Sequence, residues 1–385
     1  MSMLRFITAG ESHGPCLTAI LEGLPAGLKL NLENINRDLA RRQEGYGRGG
    51  RMKIERDKVE ILSGVRFGET LGGPITLQVV NKDFANWTEK MAAFGDEFGD
   101  KVTAARPGHA DLSGVKKYNR QDIRDILERS SARETTMRVA VGAVCKEFLS
   151  ELGIAVVSHV INIGGISVDK NNIERDKIGT DVLSELNCYD KAAEQAMKKR
   201  IDEAKAAGDT LGGVFEVIVK NVPVGLGSHI QWDRRLDAKI SAAMMSIQAI
   251  KGVEIGAGFL CADLPGSKIH DEMFITNDEV YRKTNNAGGL EGGMTNGEEI
   301  VVKAAMKPIP TLMTPLHSVD IATKEAVLAC KERSDTCAVS AASVVGEAML
   351  AFVIAEAICD KFGSDAMVDV INSVNNYKKR IAKDW

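Results

Sequence analysis

Two histidines stand in short glycine-bounded turns, His13 in Gly10-Glu11-Ser12-His13-Gly14 and His109 in Arg106-Pro107-Gly108-His109-Ala110-Asp111. Imidazole titrates nearest neutrality of all side chains, so a ring held on a turn suits general acid or base work. Fourteen of the twenty-one arginines lie at or before Arg138, several of them flanking these turns. Guanidinium forks grip phosphate and carboxylate oxygens, which points to a small polyanion handled by neutral-range acids. A turn histidine bonded to the main chain is the plainer reading of either one alone. Metal ligation is disfavoured, because no His-x-x-x-His or thiolate pair accompanies them.

Five further stretches carry chemistry. The loop Arg41-Arg42-Gln43-Glu44-Gly45-Tyr46-Gly47-Arg48-Gly49-Gly50-Arg51 joins glycines, which let a backbone approach a ligand, to four arginines. It is neither a P-loop nor a dinucleotide fingerprint, and a solvated loop or an RNA-binding patch is its alternative. In Glu128-Arg129-Ser130-Ser131-Ala132-Arg133-Glu134-Thr135, Ser131 and Glu134 predict a capping box ahead of a helix near Thr135. Arg129 and Arg133 then sit at a positive helix end, where an anion is needed to offset them. Residues 285–297 hold five glycines and read as a ligand-contacting or merely flexible loop. Lys307-Pro308-Ile309-Pro310-Thr311 sets a cation and a hydroxyl in a stiff frame, and Asp335 in Arg333-Ser334-Asp335 is a salt-bridged cap or a proton acceptor.

The elements that must position these residues alternate in type. Strand-like runs fall at 4–8, 17–21, 59–62, 74–80, 213–219 and 300–305, and helical patterns at 31–42, 135–152, 190–207 and 233–251. Strands and helices do not alternate one for one, so an α+β layered fold is expected rather than a doubly wound parallel sheet. Residues 168–185 and 263–277 are the most loop-like, and neither is a domain linker, so residues 1–385 read as a single domain. The 49 Lys+Arg nearly balance 53 Asp+Glu, which argues against bulk nucleic-acid or anionic-membrane binding. Seven cysteines without regular spacing suggest neither disulfides nor zinc, and a cytoplasmic protein is expected. The apolar run 337–359 contains Glu347 and Glu356 and reads as a buried helix, not a membrane span.

Taken together, the residues from Gly10-Glu11-Ser12-His13-Gly14 through Glu22-Gly23-Leu24-Pro25-Ala26-Gly27, the Arg-Arg-Gln-x-Gly-Tyr-Gly-Arg loop, Arg-Pro-Gly-His-Ala-Asp, Glu-Arg-Ser-Ser-Ala-Arg-Glu-Thr and Arg333-Ser334-Asp335 closely resemble chorismate synthases. The resemblance runs from Leu4 to about Phe362; Thr336 and Ser340 depart from it, where proline or serine and proline are more usual. It implies a helical layer sandwiched between antiparallel sheets, a homotetramer, and the last common step of the shikimate pathway. In that step 5-enolpyruvylshikimate 3-phosphate loses phosphate and a C6 hydrogen in a 1,4-anti elimination. Reduced FMN is required although there is no net redox change, and NADPH is a possible reductant.

By the same resemblance Arg42, Arg48, Arg51, Arg106, Arg133 and Arg333 hold the substrate's phosphate and carboxylates. Arg129, Ser130, Ser131, Gln248, Ala249, Gly292, Lys307, Pro308, Ile309, Pro310, Thr311 and Arg333 match flavin-contacting positions, and Arg42 and Arg48 are also candidates for NADP contact. His13 protonates or stabilises the leaving phosphate, His109 keeps the reduced flavin anionic, and Asp335 assists flavin N5 in taking the C6 proton. Two rivals are weaker. An RNA-binding protein would place more aromatics than Tyr46 in its basic loop, and a phosphotransferase would carry a P-loop and a carboxylate set for magnesium.

Overall fold

The computed structural model describes residues 4–49, 56–179, 184–276, 279–331 and 334–383. Arg51 and Arg333, both expected at the site, lie outside the described residues. The helices are α1 (Leu32–Gln43), α2 (Asp111–Tyr118), α3 (Arg124–Ser130), α4 (Thr135–Ser150), α5 (Lys191–Ala206), α6 (Leu236–Met245), α7 (Gly266–Ile269), α8 (Val339–Phe362) and α9 (Met367–Lys383).

Two antiparallel sheets enclose α1, α4, α6 and α8. The first orders its strands Arg5–Ala9, Cys16–Glu22, Ile75–Val80 and Glu60–Ser63. Period-two alternation turns Leu17, Ala19, Leu21, Ile75, Leu77 and Val79 onto α4, while Ile7 and Ile20 face outward. The second orders Ile250–Ile255, Ile300–Met306, Gly213–Lys220, Ala155–Ile163 and Ile166–Ser167, with Phe215, Val217 and Val219 packed toward α8. The expected sheet–helix–sheet layering is therefore present.

α8 buries residues on every side and is apolar over most of its surface, as a helix packed in a core must be. It is long and apolar enough to cross a membrane, yet 89% of its most apolar window is buried inside the protein. Small residues bring its neighbours close: a Cβ added to Gly142 of α4 would lie 2.3 Å from Ala348 Cα, and one added to Gly346 2.5 Å from the Phe215 ring. Glu347, on the same helix, is buried. Its carboxylate accepts from Arg41 (2.7 and 2.8 Å), Lys146 (2.8 Å) and Ser158 (2.7 Å). Burial pushes this carboxyl up, but Lys146 and Arg41 outweigh it and hold Glu347 well below the usual carboxylate range. This ion cluster ties the last turn of α1, and so Arg42 and the loop after it, to the core helix.

The expected strands and helices agree to within a residue or two, with one exception. The helix expected over 233–251 is only Leu236–Met245, because Ala249 takes φ +67° and the chain turns into the strand Ile250–Ile255. The strand Ala155–Ile163 and the helices α2, α3 and α9 have no counterpart among the expected runs, and α7 and the strand Met273–Thr276 fall inside 263–277, which reads as loop.

Candidate active site

The turn of residues 10–14 joins the first two strands. Gly10 has φ +105°, and a Cβ there would meet Cys16 O at 2.4 Å, so only glycine closes it. His13 donates its main-chain N–H to Glu128 Oε2 at 2.8 Å, and its Nδ1 lies 3.0 Å from both Glu128 oxygens. The ring stacks on Trp87 with centroids 4.1 Å apart. Arg124 Nη1 also donates to Glu128, at 2.9 Å. Burial pushes the Glu128 carboxyl up, but the bonds from His13 and the charge of Arg124 prevail and hold it below its usual range.

His109 is backed in the same way from within its own turn. Asp111, the first residue of α2, is fully buried; it accepts His109 Nδ1 at 2.5 Å and Arg106 Nε and Nη2 at 2.8 and 3.1 Å. These bonds outweigh the effect of burial and hold Asp111 well below the carboxylate range. Arg106 Nη1 reaches Thr311 Oγ1 at 3.3 Å, and Lys307 Nζ donates to Gly108 O at 2.8 Å. The strap Lys307-Pro308-Ile309-Pro310-Thr311 is thereby fastened to the His109 turn. It also packs on Gly212, whose added Cβ would lie 2.9 Å from Pro308 N, and Thr210 Oγ1 donates to Ile309 O at 2.7 Å.

The segment between α3 and α4 differs from the sequence expectation. Ser131 Oγ does accept from Arg133 N, at 3.3 Å, but it caps a short 3-10 turn, and Glu134 does not complete a capping box. The Glu134 carboxylate instead gathers Thr8, Arg138 and Gln248 Nε2 at 2.8, 2.9 and 3.0 Å. Arg129 falls in the last turn of α3, where a cation suits the helix dipole, and it donates to Thr8 O and Gly10 O at 2.9 and 3.2 Å. Ser130 Oγ bonds back to Ile126 O at 2.9 Å. Gln248 Oε1 is buried with no hydrogen-bond partner, and Ala249 O accepts from Lys307 N at 2.9 Å. One continuous floor thus runs from Gly10 through Arg129 and Gln248–Ala249 to the strap and the His109 turn. Beside it, Ala110, Ser113, Lys117, Tyr118, Arg129 and Ser130 line a cleft of about 750 Å³ between α2 and α3.

Arginines fill the neighbouring interior. Arg133 is 4% exposed; it donates to Asp57 at 2.6 Å and to Asn81 Oδ1 at 2.8 and 3.1 Å. The anion offsetting Arg133 at this helix end is therefore the protein's own Asp57. Arg42 Nε and Nη2 donate to Thr135 and Ala132 at 2.9 and 2.8 Å, while Nη1 lies 3.7 Å from Asp57 and donates no hydrogen bond. Burial, together with Arg133 and Arg48 nearby, lowers Arg42 to about 9 against the pull of Asp57. A bound anion would relieve that strain. Asp335 accepts from Gly49 N at 2.6 Å and pairs with Arg48 Nη1 at 3.0 Å.

The two departures in sequence have local explanations. Thr336 N donates to Gly47 O at 2.9 Å, a bond proline could not make, and Ser340 lies in the first turn of α8, where a Cβ on Gly45 would strike its Oγ at 2.4 Å. Leu211 N donates to Thr336 O at 2.8 Å, linking the Asp335 segment through Thr210 to the strap.

Gly292 tips a hairpin whose next residue, Gly293, packs on Arg235 at the start of α6, whereas Gln248 follows the end of that helix. The neighbouring glycines serve close packing: a Cβ on Gly288 would meet Gly256 N at 2.3 Å, and one on Gly289 would meet Glu299 O at 2.5 Å. Tyr46 donates to Asp202 at 2.9 Å, and Arg41, Arg42 and Arg48 turn inward, so the described part of the loop, up to Gly49, is not the solvated basic patch that RNA binding would use. Among the described residues, no three His, Cys, Asp or Glu side chains could hold a metal ion. Sequence reasoning missed the roles of Glu128, Trp87, Asp57 and Asn81. Only Glu128, inside a motif, carried any signal.

The family model described as chorismate synthase matches residues 4–359. The chain is 58% identical over 386 residues to the chorismate synthase of Geobacter metallireducens, covering 97% of this chain and 98% of that one. It is 57% identical to that of Syntrophotalea carbinolica, with 100% of both chains covered. A crystal structure of a chorismate synthase superposes with a TM-score of 0.79 at 48% identity, covering 99% of this chain and 98% of the other.

Proposed function

The chain belongs to the chorismate synthase family of lyases, and from that premise we propose that it converts 5-enolpyruvylshikimate 3-phosphate to chorismate and inorganic phosphate with bound reduced FMN. The ring C6–H bond and the C3–O bond to phosphate break, a second ring double bond forms, and one proton is released, so no net redox change occurs. The observation that carries this reading is a pair of carboxylate-backed histidines, His13–Glu128 and His109–Asp111, flanking one arginine-rich floor.

The substrate's phosphate and two carboxylates need cations at fixed positions, and preorganised donors cost no rearrangement as charge moves. We assign Arg42, Arg48 and Arg106 to that task. Arg42 brings a buried Nη1 that donates no hydrogen bond. Burial around Asp57 and Asp335 suits Arg42 and Arg48 to substrate better than to NADPH. His13, held by Glu128 at Nδ1, gives the Nε2 proton of its imidazolium form to the departing phosphate and is left as the neutral Nδ1–H ring. His109, held by Asp111 at Nδ1, turns its Nε2 toward the cofactor.

The residues present fit a flavin. Gln248 Oε1 is a buried acceptor with no hydrogen-bond partner, suited to an N–H at a ring edge. Burial and the nearby Lys251 push Lys307 down, a state that a phosphate would reverse. Arg129, Ser130, Ser131, Gln248–Ala249 and Lys307–Thr311 would hold the group. When bound, reduced FMN supplies transient electron density that eases phosphate departure. We further propose a cytoplasmic homotetramer built from one domain per chain.

Anaerobic incubation with reduced FMN and 5-enolpyruvylshikimate 3-phosphate tests the reaction: chorismate and phosphate should appear in equal amounts, and no product refutes the reading. Asp335 is assigned to help the C6 proton leave. Asp335→Asn keeps an acceptor for Gly49 N–H but removes the charge facing Arg48. With prereduced FMN, its single-turnover rate at saturation should fall by about 10²-fold or more while affinity is largely kept. An unchanged rate with lost affinity would make Asp335 a scaffold for Arg48.

A further inference from the structure

We propose that Glu128 is the positioning residue of His13, fixing the imidazole as the Nδ1–H tautomer so that Nε2 is the atom exchanging a proton with the reacting group. The identity of that group rests on the function proposed above. The tautomer does not.

The argument begins with what a carboxylate can do. An ionised carboxylate only accepts, so a ring nitrogen 3.0 Å from both of its oxygens must carry the hydrogen. The same carboxylate accepts the main-chain N–H of His13 at 2.8 Å, so backbone and ring of one residue are held by one group. Arg124 fixes the carboxylate in turn, donating to Oε1 at 2.9 Å. Rotation of the ring is opposed by Trp87, stacked at 4.1 Å and itself pinned by its Nε1 donating to Asp83 Oδ2 at 3.1 Å. Other charged groups around this assembly include Asp83, Glu11, next to Gly14, and Lys90, 5.8 Å over the Trp87 ring.

Glu128 lies on α3, one residue before Arg129. Ser12 N donates to Glu128 O at 3.1 Å, and Ser131 Oγ bonds Ser12 Oγ at 3.3 Å. The short helix that carries the cofactor-assigned Arg129 and Ser130 therefore also sets the azimuth of His13. His109 needs no such device, because its carboxylate comes from its own turn. A wrong tautomer at such a histidine leaves geometry intact while removing the proton path, which is the generalised logic of an oriented acid–base residue.

The test uses full-length protein with 15N-labelled histidine, the His13 signals being assigned by their loss in His13→Gln. Wild-type His13 should show Nδ1 protonated in its neutral form, and an Nε2–H tautomer there overturns the proposal whatever the protein catalyses. In Glu128→Gln the carboxamide can donate as well as accept, so the tautomer should become mixed. Turnover kcat should then fall by about 10²-fold or more with KM little changed. A Glu128→Gln protein with wild-type tautomer and wild-type kcat also overturns it. If that variant fails to fold, the wild-type spectrum still decides. A wild-type protein that makes no chorismate refutes the reaction and leaves the spectroscopic result standing.

Discussion

His13→Ala and His109→Ala are each expected to lower turnover by about 10²–10⁴-fold, the range for loss of a positioned acid or base. Both rings are bound through Nδ1 to a buried carboxylate, which is how a histidine is built to exchange protons at Nε2. The fold should survive either change, because each carboxylate keeps an arginine: Glu128 keeps Arg124 and Asp111 keeps Arg106. Anaerobic turnover with reduced FMN, beside urea unfolding of the same preparations, separates the two effects. Near-normal turnover in both variants would remove the histidines from the chemistry.

The second large effect is one of stability. Arg133→Ala should destabilise the fold by about 3–5 kcal/mol, because it leaves Asp57 buried with its closest cation gone. Arg42 does not replace it, lying 3.7 Å from the same oxygen with no hydrogen bond. Arg133→Lys keeps a charge but cannot span Asp57 and Asn81 Oδ1 with a rigid fork, so it should fall between alanine and wild type. Urea midpoints measured without ligand check this. Wild-type stability in Arg133→Ala combined with weak substrate binding would return Arg133 to the role of a direct anion contact.

The arginines show how far residue types alone can be read. Clustered cations beside histidines implied an anionic ligand, and that inference treated every carboxylate as distant. Asp57, Asp111 and Glu347 are each buried against arginines, and the partners of Asp57 and Glu347 lie far away in the chain. Part of the positive charge is therefore neutralised from within. Only the remainder, such as Arg42 Nη1, is left for a ligand. The capping box failed for a related reason. Ser131 could cap locally, but Glu134 found Thr8, Arg138 and Gln248 instead of the backbone N–H next to its own turn.

What the amino-acid order determined by itself was local: the turn at Gly10, which no Cβ could enter, the largely apolar run of α8, the period-two strands of the first sheet, and the motifs that mark the family. These follow from backbone sterics and side-chain period, which act within a few residues. Tertiary structure alone decided that Glu128 would hold His13, that Asp57 would join Arg133 to Arg42, and that the Lys307 strap would close on the His109 turn. Those pairings span 76 to 199 residues for Arg133–Asp57, Glu128–His13 and Lys307–Gly108. No local pattern encodes which distant carboxylate will neutralise a buried cation; that choice is made only when packed sheets and helices exclude water and leave each charge only the few partners within reach.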